Sequence, residues 1–166
     1  KIFGDRVPIQ RCVRHKERNV LKYLPQTDHA EFRRRWKLVH GMARYEDAKR
    51  EYERLARWLG GINHAALISL EEAEEETLTV VGLNVPPKLR KTMLSTNPIE
   101  SAFDGVETRS ARVKRWRKET DQVSRWAAAT LQDVEKRFRR VKGFREIPLF
   151  LAELEKINLI QERKAA

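Results

Sequence analysis

Ser95-Thr96-Asn97-Pro98-Ile99-Glu100-Ser101-Ala102-Phe103 is the stretch whose reading decides the fold. Asn97 is a favoured N-cap, Pro98 suits the first helical position because its missing N–H would be unpaired there anyway, and Glu100 falls third. The pattern predicts a helix start. Glu100 then has two readings. As a capping-box carboxylate it reaches back to the Asn97 N–H and is favoured by the helix dipole. As a metal-binding carboxylate it stands beside a DNA-binding surface, because the basic run from Arg109 to Lys118 follows it. Spacing alone leaves both open.

Downstream, the run Arg109-Ser110-Ala111-Arg112-Val113-Lys114-Arg115-Trp116-Arg117-Lys118 reads as a helical face with Arg112, Arg115 and Lys118 near one side. Asp121 opens a helix with Val123, Trp126, Ala127, Thr130, Leu131, Val134 and Phe138 at steps of three and four. Its polar side carries Arg125, Lys136, Arg137, Arg139 and Arg140, and Gly143 ends it. A short amphipathic helix with Leu151, Leu154 and Ile157 follows, then a tail over 159–166. The two basic segments, 109–118 and 136–145, offer the breadth that phosphate contact needs; the alternative is a solvated helix face. Arg109, Arg112, Lys114, Arg115, Arg117, Lys118, Lys136, Arg137, Arg139 and Arg140 are the candidate DNA-binding cations. Trp116 among them is a candidate for base stacking, with core packing as its alternative.

Upstream, Val7-Pro8-Ile9-Gln10-Arg11-Cys12-Val13 is rich in β-branched residues and reads as a short strand near the N-terminus. A lone strand leaves its backbone groups unpaired, so partners are expected in a preceding sheet or a neighbouring molecule. Helices are predicted over 14–24, then from a capping box of Asp28 and Glu31, and from Tyr45 to Gly60-Gly61. Another is predicted from a capping box of Ser69 and Glu72 to Gly82. Residues 28–82 thus form an all-helical block, and Lys88 to Met93 a further helical turn. The acidic run Glu71 to Glu76 is read as a solvated face.

Composition bounds the partners. The 166 residues carry a net charge of +11, with a pI near 10.1, and 40% apolar residues support a folded core. A polyanion is the expected partner, nucleic acid before an anionic membrane surface. The single cysteine, Cys12, excludes an internal disulfide and suits a reducing, cytoplasmic or nucleoid setting. There is no long apolar run, and the opening Lys1-Ile2-Phe3 reads as part of a longer protein. Cys12 and His15 lack the second ligand pair of a zinc site. No nucleophile elbow or phosphate-binding glycine loop supports acyl transfer or nucleotide hydrolysis.

Taken together, Ile9 to Val20, Ser95 to Ser101, Arg112 to Trp116 and Lys136 to Gly143 resemble the bacterial Mutator-type transposases, in the same order and with fitting gaps. The resemblance implies a DDE transposase, a metal-dependent DNA strand-cleaving and strand-transferring enzyme. Its ribonuclease H-like α/β core would be interrupted by a helical insertion. On that mapping, 1–27 ends the sheet and adds a helix, 28–94 is the insertion, 95–158 holds the catalytic-glutamate helix and the C-terminal helices, and 159–166 is a tail. The fold expected for this chain is therefore mostly α with one short strand. The Thr-Asn-x-Ile-Glu motif falls on Thr96 to Glu100, making Glu100 the catalytic, metal-binding glutamate. Both catalytic aspartates would lie upstream, and no residue here matches them, so this chain alone is expected to be inactive. The implied cofactor is Mg²⁺ or Mn²⁺ in the complete site; the implied partners are transposon ends and target DNA, with a homo-oligomer assembled on DNA and no membrane.

The family's Cys-x-x-His signature falls on Cys12 and His15 without a role derivable from chemistry, although the resemblance places His15 near the active site. Related superfamilies carry an Arg-Trp pair in the insertion that stacks on a base. Arg35-Trp36 and Arg57-Trp58 are candidates, with core packing the favoured reading of each. The rival to a transposase is a non-catalytic helical nucleic-acid-binding module, in which Glu100 is only a cap. A helical protein-interaction scaffold is a third reading, distinguished by salt-insensitive DNA association.

Overall fold

The computed structural model describes residues 8–117 and 119–165, and every regular element in them is helical. The order is α1 (Val13–Leu21), α2 (His29–Gly41), α3 (Tyr45–Gly60), α4 (His64–Glu71), α5 (Glu74–Gly82), α6 (Pro87–Met93), α7 (Asn97–Ser110), α8 (Gln122–Glu135) and α9 (Ile147–Ala165). They fall into two compact units: residues up to Ser95 with those after Val141, and Thr96–Val141. The mostly helical expectation is met.

The expected strand is absent among the described residues. Val7 lies outside them, and 8–12 is irregular before α1. Among the described residues the segment is tied to helices instead. The Arg11 N–H donates to Glu76 O at 2.8 Å and the Val13 N–H to Leu94 O at 2.9 Å. The Gln10 side chain donates to Thr77 O and accepts from the Val80 N–H, so helix α5 takes bonds that a neighbouring strand would have made.

In the first unit, α1 to α5 enclose one core. Ala48, Tyr52, Leu55 and Leu59 make the buried stripe of α3, facing Phe32, Trp36 and Val39 of α2, Val20 of α1, and Leu70 and Leu78 beyond. Trp36 is only 2% exposed. Phe32 stacks on it, with 6.0 Å between ring centroids, and His40 meets it edge-on at 4.2 Å. Its indole N–H donates to Val13 O at 3.2 Å, and the Tyr52 hydroxyl donates to Leu70 O at 2.9 Å, so both polar tips are satisfied inside the core. Lys16 is equally enclosed. Its ammonium donates to Ser69 O at 2.7 Å and pairs with Glu72 at 2.9 Å, fastening α1 to the end of α4.

Two expected capping boxes are corrected. Asp28 is the N-cap of α2 but makes no side-chain cap bond, and Glu31 instead accepts from Arg34 and Arg35. Ser69 lies inside α4, whose N-cap is Asn63, its side chain accepting from the Ala66 N–H at 3.0 Å. The single helix expected up to Gly82 breaks at Glu72 and Ala73 into α4 and α5. Glu72 is engaged by Lys16, which holds its carboxyl below the usual range, and so serves neither as a cap nor as a merely solvated face.

A smaller core in the same unit joins Val80, Val85, Leu89 and Phe150, with Ile147 and Leu154 of α9 against it. Gly143 makes the turn into α9 at φ +76°, and a Cβ there would stand 2.6 Å from the Leu89 nitrogen. Both the left-handed backbone and the close approach demand glycine. Helix α9 runs on to Ala165, through most of the residues read as a tail; Ala166 lies outside the described residues.

Candidate nucleic-acid and catalytic surface

The second unit consists of α7, an irregular connection and α8. A Cβ on Gly105 of α7 would lie 2.6 Å from Val134 Cγ2 of α8, so glycine is what lets these helices approach. Arg109 fixes the same contact, pairing with Asp133 at 2.6 Å and donating to Gly105 O at 3.1 Å. The guanidinium's hydrogen bond holds the Asp133 carboxyl below the usual carboxylate range. Arg109, expected to meet DNA, is thus occupied in holding two helices together.

Helix α7 begins one residue earlier than a cap at Asn97 would have it: Thr96 is the N-cap and Pro98 sits in the first turn. Thr96 O accepts from the Ile99 and Glu100 N–H groups, each at 3.0 Å. Glu100 is the fourth helical residue, half-buried, and its carboxylate accepts a hydrogen bond from the Thr96 hydroxyl. A carboxylate in the first turn is favoured by the helix dipole, and the hydroxyl fixes where it points. A carboxylate is a hard oxygen donor of the type Mg²⁺ prefers. A single carboxylate supplies only part of such a coordination shell.

The basic run does not continue α7. The helix stops at Ser110, and 113–117 are irregular, so the expected helical face of Arg112 and Arg115 is replaced by a loop. Lys118 lies outside the described residues. The loop is closed by the Arg117 N–H donating to the Gln122 side chain at 2.8 Å. Arg112, Lys114, Arg115 and Arg117 are exposed, and among the described residues none has an acidic partner. Lys136, Arg137, Arg139 and Arg140 are also exposed, beyond the end of α8 at Glu135; Arg137 approaches Asp133 at 3.8 Å.

The apolar stripe of α8 is only partly a core. Thr130 and Val134 are buried, whereas Val123, Trp126, Leu131 and Phe138 are exposed. Trp116 is exposed as well and meets Trp126 edge-on, with 6.4 Å between ring centroids. Arg125 and Trp126 are the residues that sequence reasoning did not place at the surface site. Trp126 falls on the helical stripe, and its ten-residue separation from Trp116 across an irregular loop carries no periodic signal.

The remaining predicted residues lie in the first unit. Cys12 is the N-cap of α1, half-buried, and His15 is exposed one turn on. Trp36 has both flanks taken by core neighbours, leaving no ring face for a base. Trp58 packs against the same core with the Arg35 guanidinium 5.1 Å from its ring centroid, a cation–π contact within the protein. Core packing thus accounts for both tryptophans of the helical block.

A family model described as "Transposase, Mutator family" matches residues 4–141. No curated protein and no solved structure matches the chain.

Proposed function

Since the chain belongs to the Mutator family of transposases, we propose that it supplies one catalytic carboxylate, Glu100, and a DNA-holding surface to a DDE-type active site in a ribonuclease H-like core. The observation that carries this reading is the local geometry of Glu100. It falls on the family's Thr-Asn-x-Ile-Glu position, in the first turn of α7, with its carboxylate braced by Thr96. In a complete site of this kind Glu100 would be one of the carboxylates holding Mg²⁺, which would supply activation of the attacking oxygen and charge stabilisation of the leaving one. This chain's part is to hold one hard oxygen ligand in a fixed direction and, through the exposed cations of 112–117 and 136–140, to bind the phosphate backbone beside it. The other two carboxylates are expected from aspartates upstream, and assembly as a homo-oligomer on transposon-end DNA follows from the same family reading.

In a protein that includes the upstream aspartates, Glu100→Gln is expected to abolish strand transfer while leaving folding and DNA affinity within about twofold. Transfer retained by that variant would remove Glu100 from the site. The 166-residue chain by itself is expected to bind DNA without cutting it, and Mg²⁺-dependent cleavage by the purified chain would overturn the division of carboxylates.

A further inference from the structure

We propose that Trp116 and Trp126 form a stacking platform for unpaired nucleotides of the DNA held by the second unit. The inference rests on the DNA-binding reading above and assigns that surface a preference for single strands. Both rings are large, apolar and open to water, 39% and 41% exposed. They stand nearly perpendicular, at 86°, so a planar group laid on one ring meets the other from the side. Neither of the other two tryptophans is available in this way: Trp36 is core and Trp58 lies under Arg35.

The charge around the pair selects the occupant. Arg112, Lys114, Arg115, Arg117 and Arg125 are exposed on the same loop and the adjoining turn of α8. None of them has an acidic partner among the described residues. An exposed aromatic pair on a cation-rich loop suits a chain of bases on a phosphate backbone, where each base stacks and each phosphate is neutralised. Paired bases keep their faces against their neighbours, so a duplex would use the cations and leave the rings idle; the rings become useful when bases are splayed.

The test compares a labelled oligo-dT strand with a duplex of equal length, by fluorescence anisotropy at about 50 mM salt, using the 166-residue chain. Trp116→Ala is expected to weaken oligo-dT binding about tenfold or more and duplex binding less than twofold, whereas Trp116→Phe keeps most of the single-strand affinity. Circular dichroism confirms that each variant is folded. Equal losses on both DNAs, or no loss on either, would overturn the platform. So would a self-associated protein that Trp116→Ala converts to monomer, since the rings would then cover a second copy. If neither DNA binds at low salt, the DNA-binding reading falls first.

Discussion

The helical block of 28–95 and the segment 109–145 are built from similar residues and use them in opposite ways. The first holds 12 Lys and Arg against 11 Asp and Glu, the second 13 against four. In the block, cations find acids. Arg34 and Arg35 share Glu31, Arg50 takes Asp47, Arg54 takes Glu51, and the large aromatic rings Phe32, Trp36 and Tyr52 are buried. In the basic segment Asp133 gathers Arg109 and Arg137, while Trp116, Trp126 and Phe138 face solvent. Formal charge alone would rate every arginine as a candidate for nucleic acid. Pairing separates those that stabilise helices from those available to a polyanion.

Tryptophan removal gives the largest expected contrast. Trp36→Ala is expected to destabilise the first unit by about 3–5 kcal/mol, since it deletes an enclosed ring and leaves a cavity between Phe32 and His40. Trp126→Ala should change stability by less than about 1 kcal/mol, because its ring already meets water. Chemical denaturation followed by amide exchange in α3 and α8 separates the two effects. Comparable losses would mean that Trp126 is as much a core residue as Trp36.

Acid sharpens the same contrast. Burial pushes the His40 imidazole down to about 4, from an ordinary value of ~6.5. Between those values the unfolded chain binds a proton that the folded one refuses. Stability of the first unit is therefore full above about pH 6.5 and falls towards pH 4, by roughly 3 kcal/mol in all. Glu31, lowered to about 2 by the hydrogen bonds of Arg34 and Arg35, adds its own loss only at lower pH. Thr96–Val141 contains no histidine, so the opening free energy of α8, read from amide exchange corrected for intrinsic rates, should stay flat between pH 6.5 and 5 while that of α3 falls. His40→Phe should remove the α3 dependence whatever it does to stability at neutral pH.

How much of this was legible in the sequence depended on whether the cause was local. Helix α3 could be read because Ala48, Tyr52, Leu55 and Leu59 repeat at helical spacing and bury their own stripe. The split between α4 and α5 could not, because Glu72 is drawn to Lys16, 56 residues away. The strand expected over Val7–Val13 has no counterpart in 8–13 for the same reason: Gln10 and the Arg11 N–H bond to α5 and the Val13 N–H to Leu94, partners that β-propensity does not register. At the candidate site, Glu100 was legible from the Pro-containing helix start, although the hydroxyl that braces it belongs to Thr96 rather than to a cap at Asn97. The loop at 113–117 leaves no trace in a helical projection, and the exposure of Trp126 depended on what packs beside α8.

The smallest expected effect tests the pairing argument most directly. Arg54 is exposed yet bound to Glu51, and Arg115 is exposed with no acid beside it among the described residues. If pairing decides availability, Arg54→Ala leaves DNA affinity and its salt dependence unchanged. Arg115→Ala should lower the slope of log affinity against log salt by about 0.9 for duplex DNA, the signature of one lost phosphate contact. Titrations at several salt concentrations measure both slopes in the same assay. Equal reductions would mean that the ion pairs of the helical block open when DNA arrives, and that the cationic surface extends well beyond 109–145. A reduction confined to Arg115 would instead mean that acids placed three or four residues along a helix confine DNA to the segment that lacks them.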